Sequence, residues 1–171
     1  MEDDAAAFED AVIRFYETNP RALDRLRAIL RGKVPGVSLR MLDCLVTSYA
    51  KATNASTALP DGTRANIYRE YKAQLRGYSK RQFDPFARNG RVVVPFSSGA
   101  LETTIAQLGF FRWAITRGVV DYAAEHAPEL EAYYASSRGS RAASRRRESE
   151  KSAASEAPRS PRLRARAVLD F

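Results

Sequence analysis

The stretch SLRMLDCLVTSY, residues 38–49, carries the clearest helical pattern of this chain. Ser38 is a favoured N-cap residue. The apolar residues that follow it, from Leu39 to Tyr49, recur at i, i+3, i+6, i+7 and i+10 and therefore share one face of a helix. This pattern predicts a helix with one buried side, and the buried side requires other elements to cover it.

Helical spacing of apolar residues predicts further helices on both sides of this one. The first contains Phe8, Val12, Phe15 and Tyr16, the second runs from Asn19-Pro20 to Gly32, and the fourth begins near Thr63 and contains Ile67, Tyr68, Tyr71 and Leu75. The fifth is expected to be capped by Ser97 or Ser98, to hold Glu102 in its first turn and to end at Gly118. Its inward residues are Leu101, Ile105, Leu108, Phe111 and Ile115. A short sixth helix over residues 119–127 and a seventh from Pro128 through Tyr134 complete the set.

The predicted fold is mainly α, a compact multi-helix domain over residues 1–137 with one short strand. RVVVPF, residues 91–96, is the segment with strand character, and Pro95 places it at an edge or at its own end. Before it, SKRQFDPFARNG, residues 79–90, contains Asp-Pro and Asn-Gly, which forbid a continuous helix. We expect an ordered loop there, held by Phe83 and Phe86.

Composition narrows the class of protein. The chain has 171 residues, 44% hydrophobic and 10% aromatic, which suits one domain with an appendage. One Cys and one His exclude a zinc finger and an internal disulfide. The acidic start, residues 1–4, is unlike a signal peptide, and no apolar stretch approaches the roughly 18 residues of a membrane span. We therefore expect an intracellular protein without membrane association.

Positive charge is concentrated at the C-terminal end. The formal net charge is +8; residues 138–171 hold ten basic and four acidic residues, whereas residues 1–137 hold 18 and 16. Residues 138–161 contain no Val, Ile, Leu, Met or aromatic residue, so they cannot bury enough surface to offset the entropy of ordering. They are predicted to form a disordered basic arm.

The last ten residues, 162–171, differ from the arm because apolar and polar residues alternate. This period-2 pattern predicts a docking strand that pairs with residues 91–96 or with the sheet edge of another protein. Its partner-binding residues are Leu163, Leu169 and Phe171.

No reaction is indicated by the residues that carry catalytic chemistry. Cys44 is read as a small buried hydrophobe, and His126 as a residue that interacts with carbonyls at a helix end. The aspartates are scattered, and the glycine-rich loops that bind nucleotides are absent from the sequence. The chain is predicted to be non-enzymatic, with no metal and no cofactor. The aromatic run that ends at Trp113 is read as core, with a partner-binding face rimmed by Arg112 or Arg117 as the alternative.

Basic residues give the main functional signal. Arg69, Lys72 and Arg76 recur at i, i+3 and i+7 on one face of the fourth helix, with Tyr68 and Tyr78 nearby, and the arm carries an arginine triplet. The candidate nucleic-acid-binding residues are Arg69, Lys72, Arg76, Lys80, Arg81, Arg88, Arg145, Arg146 and Arg147. The alternative for the helix is a solvated face whose charges satisfy local carbonyls or Glu70. The alternatives for the triplet are a nuclear address and a solubilising tail.

Two blocks give the chain a distinctive signature: YREYKAQLRGYSKRQFDPFAR, residues 68–88, and TTIAQLGFFRWAI, residues 103–115, followed by VVDY, residues 119–122. In these blocks it resembles a family of small, largely uncharacterised proteins of large nucleocytoplasmic DNA viruses. The resemblance implies a basic tail and a short apolar C-terminal end but no activity. The Ala- and Arg-rich composition departs from the Lys- and Asn-rich versions of the pattern.

These observations favour a viral protein that contacts DNA or RNA through its basic arm in genome replication, late transcription or packaging. A viral or host protein is expected to bind the helical body or the C-terminal segment. The alternative is a virion structural protein or assembly adaptor whose helical body binds proteins. The expected location is the host nucleus, a cytoplasmic virus factory or the virion.

Overall fold

Helices dominate the chain, as the sequence predicts. The computed structural model describes residues 2–155, apart from the side chains of residues 2, 3, 141, 142 and 149–155. The helices are α1 (Glu2–Thr18), α2 (Pro20–Leu30), α3 (Leu39–Cys44), α4 (Ala50–Thr53), α5 (Ile67–Gly77), α6 (Ile105–Thr116), α7 (Val119–Glu125) and α8 (Ala127–Ser155). A π-helical turn, Leu45–Tyr49, joins α3 to α4, so the predicted third helix continues beyond Tyr49.

Four strands lie within residues 2–155, where the sequence predicted one. β1 (Ser56–Ala58) pairs with β2 (Arg64–Asn66), and β3 (Arg91–Phe96) pairs with β4 (Gly99–Thr104), both antiparallel. Predicting helix for residues 99–104 was wrong, because Gly99 has φ +113° and lets the chain turn back on itself after Phe96. Leu101 and Glu102 are therefore strand residues, and α6 begins at Ile105.

Helix ends follow local side-chain chemistry. The Ser38 hydroxyl accepts a hydrogen bond from the Met41 amide at 3.2 Å, which confirms the predicted cap of α3. Thr104, and neither Ser97 nor Ser98, caps α6 by accepting from the Gln107 amide at 3.1 Å. Gly118, with φ +68°, follows the end of α6 as predicted.

The chain divides into two units, residues 1–134 and residues 135–171. The first unit holds a buried apolar core that extends from Val12 to Leu130 in the sequence. Its largest fully buried side chains include Tyr16, Phe110 and Phe111. The prediction that the aromatic run lies in the core is confirmed, because Trp113 is also buried, at 6% exposure.

The second unit includes the predicted basic arm. Residues 138–155 are helical, as the C-terminal part of α8. The absence of large apolar residues rules out a packed core, but it does not prevent a helix, since Ala, Arg and Glu have high helix propensity. Residues 156–161, the rest of the predicted arm, lie outside the described residues, as does the predicted docking strand, residues 162–171.

Candidate nucleic-acid interface

The loop over residues 78–90 is fastened to α6 and forms one wall of a basic groove. Its anchor is Phe83, which is 3% exposed and packs against Phe110 and Trp113 with ring centroids 5.4 and 5.7 Å away. The Asp84 amide donates to the Ala106 carbonyl at 3.2 Å, and Gln107 Nε2 donates to the Pro85 carbonyl at 2.9 Å. The predicted ordered loop is therefore confirmed.

Only one of the two phenylalanines expected to hold the loop does so. Phe86 is 43% exposed, because Phe83 occupies the core position three residues earlier. The Asp84 side chain accepts a hydrogen bond from the Phe86 amide at 2.8 Å, which closes a tight turn across Pro85. This turn sets the direction in which the chain leaves the core and leaves the Phe86 ring in contact with solvent.

The groove has a volume of about 980 Å³ and lies between the first turns of α1, the loop, β3 and the start of α6. Three of the predicted nucleic-acid-binding residues line it: Lys80, Arg81 and Arg88. Phe8 and Phe86 supply aromatic lining, and Glu9 and Asp84 are its two acidic residues.

Several arginines of the body have acidic partners, whereas the three cations of the groove have none among the described residues. Arg27, Arg91 and Arg117 pair with Asp24, Glu102 and Glu70, at 3.9, 2.7 and 3.4 Å. Within the part of the chain that the structure describes, no carboxylate pairs with Lys80, Arg81 or Arg88. Their charge is therefore available to an external anion.

The cations of α5 form a second set. Arg69, Lys72 and Arg76 are exposed on this helix, and none of them is among the described residues that line the groove. Glu70, which was the alternative partner for these charges, pairs with Arg117 instead. In α8, Arg145, Arg146 and Arg147 are also exposed. Leu163, Leu169 and Phe171 lie outside the described residues.

Cys44 and His126, the cysteine and the histidine of the sequence, make local contacts. Cys44 is buried, and its Sγ lies 3.7 Å from the Ser48 hydroxyl. The His126 ring stacks on Tyr122 with centroids 3.9 Å apart, and Nδ1 lies 3.0 Å from the Tyr122 carbonyl oxygen. His126 thus interacts with a helix-end carbonyl, as predicted.

The aspartates likewise serve turns and ion pairs. Hydrogen bonds from the Thr63 hydroxyl and amide hold the pKa of Asp61 below its ordinary value, in the turn between β1 and β2. Asp121 pairs with Arg25 on the surface. Among the residues that the structure describes, no group of three or more His, Cys, Asp or Glu side chains is arranged to hold a metal ion.

Comparison of the sequence with known proteins assigns the chain to a family. Residues 2–161 match the model of a family of unknown function, DUF7197. The chain belongs to the DUF7197 family. This DUF7197 protein is also similar to uncharacterized protein L507 of Acanthamoeba polyphaga mimivirus, with 31% identity over 127 residues. The resemblance to uncharacterised viral proteins is thus confirmed.

The alignment with the mimivirus protein covers 69% of the DUF7197 chain and 49% of the relative, so the chain spans about half of that protein's length. No solved structure matches the DUF7197 protein. Among the helices of residues 2–155, none combines the length and apolar character that crossing a bilayer requires.

Sequence reasoning missed the contribution of α1 to the groove. Helical spacing predicts that Phe8 faces the core, and it is half-buried, as is Glu9 beside it. Both are brought to the loop by tertiary packing, with Phe8 lying 5.1 Å from Tyr78, centroid to centroid. No local signal marks them, because helical spacing identifies the apolar face of α1 but not the element that meets it.

Proposed function

We propose that this protein is a non-enzymatic, nucleic-acid-associated protein of a large nucleocytoplasmic DNA virus. It acts in genome replication, late transcription or packaging, in the host nucleus or a cytoplasmic virus factory. The observation that carries the proposal is the groove. It collects Lys80, Arg81 and Arg88, without carboxylate partners among the described residues, beside the exposed ring of Phe86.

The energetics favour a polyanion over a single small anion. Each phosphate that a cation neutralises releases condensed counterions, so several weak contacts along one strand add to a substantial affinity at low salt. The cations of α5 are a second exposed basic set close in sequence, since Arg76 lies four residues before Lys80. The positive charge of residues 138–171 adds a general attraction to nucleic acid.

The test is the salt dependence of nucleic-acid binding by the full chain, measured by fluorescence anisotropy. We expect a steep loss of affinity between about 50 and 200 mM salt. Substituting the three groove cations together, Lys80→Gln, Arg81→Gln and Arg88→Gln, is expected to lower the slope of log K against log salt by about two.

The matched control is Arg31→Gln with Lys33→Gln. Both residues are exposed and line a separate depression beside the β3–β4 turn, so their removal lowers net charge without changing the groove. The control removes two charges and the groove variant three, so the losses are compared per charge removed. If the loss per charge is equal, general charge and not the groove accounts for binding. Charge reversal at Arg69, Lys72 and Arg76 measures the part contributed by α5.

A second candidate function is a virion structural protein or assembly adaptor. An apolar depression of about 640 Å³ between α1, α2 and α6 favours it, with Phe15, Ala22 and Ile115 in its lining. Purification from infected cells, with and without nuclease, distinguishes the two functions. An adaptor co-purifies with one viral protein after nuclease treatment and in high salt, whereas a nucleic-acid-associated protein loses its partners on nuclease treatment.

A further inference from the structure

We infer that the groove binds single-stranded nucleic acid, with a base stacked on the exposed ring of Phe86. This inference rests on the proposed function and specifies the ligand of the same site. It depends on three features of the described residues: which rings are exposed, how rigidly they are held, and the concave shape of the basic surface around them.

Exposed aromatic rings are concentrated at this loop. Among the described residues, the large apolar side chains with substantial exposure are Leu75, Tyr78, Phe86 and Val93. Both aromatic members of this set, Tyr78 at 40% and Phe86 at 43%, lie in the loop that carries Lys80 and Arg81. An exposed ring beside unpaired cations is the arrangement that single-strand-binding proteins use to stack bases while they hold the backbone.

Both residues are held by contacts with the rest of the first unit, Phe86 through its backbone and Tyr78 through its ring. The backbone of Phe86 is fixed by the hydrogen bond that its amide donates to Asp84, and the preceding Pro85 is buried and bonded through its carbonyl to Gln107. Tyr78 packs against Phe8 and stacks on the buried ring of Phe83, with centroids 5.1 and 6.4 Å apart. Because these contacts already order the loop, stacking of a base here costs little conformational entropy.

The shape of the surface favours one strand over two. Duplex DNA is read by an element that protrudes into a groove of the DNA, and the faces of its paired bases are covered by their neighbours. A ring within a concave surface reaches a base face only after unstacking, which has a free-energy cost at each step of a duplex. A single strand offers its base faces without that cost.

The test compares two ligands on the full chain. One is a labelled single strand of about 12 nucleotides without self-complementarity, within the range of site sizes known for single-strand-binding folds. The other is the same strand annealed to its complement, a blunt duplex of equal length. Because the positive arm attracts both ligands, the informative quantity is the effect of Phe86→Leu, which removes the ring and keeps an apolar side chain.

We expect Phe86→Leu to weaken single-strand binding by about 5- to 150-fold, the range that loss of one stacked base gives. Duplex affinity and the salt slope should stay unchanged, since no cation is removed. Phe86→Trp should retain tight single-strand binding. Thermal unfolding serves as the folding control, because an exposed ring contributes little to stability.

The remaining outcomes contradict either the proposed function or the inference that a base stacks on Phe86. If neither ligand binds, the proposed function fails, and the inference with it. If both ligands bind but Phe86→Leu has no effect on either, or the same effect on both, the inference fails while the proposed function stands. Loss of binding with a lowered melting temperature is resolved by Phe86→Trp, whose failure to restore single-strand binding in a folded protein also overturns the inference.

Discussion

At the scale of the residue, Tyr16 shows how one polar group is accommodated in the core. Its ring is fully buried, and its hydroxyl donates a hydrogen bond to the Leu108 carbonyl at 3.0 Å, linking α1 to α6. We expect Tyr16→Phe to lower the free energy of unfolding by about 1 kcal/mol, measured by urea denaturation. Tyr78→Phe is the control, since its side chain is exposed, and it should leave stability unchanged.

The same residue predicts a pH dependence. Burial raises the pKa of Tyr16 above its ordinary value of 10.0, with the charge of Arg112 opposing this effect. The unfolded chain therefore loses the Tyr16 proton at a lower pH than the folded chain does. Stability from this group is complete below pH 10.0 and falls as pH rises above it. Tyr16→Phe should be less sensitive to alkaline pH than the parent; equal sensitivity would contradict the assignment.

At the scale of the element, Gly109 sets how closely the loop of residues 78–90 approaches α6. A Cβ at this position would lie 2.1 Å from the Gln82 carbonyl oxygen and 3.1 Å from Phe8 Cζ. Although alanine favours a helix interior over glycine, we expect Gly109→Ala to destabilise the protein by about 1–3 kcal/mol through this clash. Chemical denaturation measures the loss, and groove binding should weaken with it.

Gly77→Ala is the matched control for this effect. Gly77 is also helical, at the end of α5, and has no atom within 4 Å of an added Cβ. It should be neutral or slightly stabilising. A Gly109→Ala variant as stable as Gly77→Ala would show that the loop is not held against α6 as described.

Elements also mark where sequence reasoning succeeded. The start of α3 was predictable because the Ser38 hydroxyl stands at a cap position. The end of α6 was predictable because Gly118 is a residue type suited to positive φ. The start of α6 was not, because Leu101 falls at helical spacing from Ile105 and Leu108 and therefore fits a helical pattern. Pairing with β3 in a hairpin determined the conformation of Leu101, and the spacing of apolar residues within α6 does not reveal that pairing.

At the scale of the whole molecule, the apolar core lies within the first unit. Every buried apolar residue that the structure describes falls between Val12 and Leu130. We therefore expect a chain that ends at Tyr134 to melt within about 2 °C of the full chain in differential scanning calorimetry. A change of about 1 kcal/mol in the free energy of unfolding shifts the melting temperature of a domain of this size by about 2–4 °C or more, so a smaller shift means an unchanged core. A clearly lower melting temperature would show that residues after 134 support the core.

Some features of the candidate site were predictable from the sequence, and others depend on the tertiary structure. Its cations were predictable from the sequence, because charge density and helical spacing are local properties of the chain. Sequence also identified the helical class, the absence of a zinc-finger ligand set and the concentration of positive charge after residue 137. Only the tertiary structure decided that Phe83 is buried and Phe86 exposed, and that Phe8 joins the groove. Those outcomes depend on which surfaces meet, and two phenylalanines three residues apart carry no local difference that decides which one the core accepts.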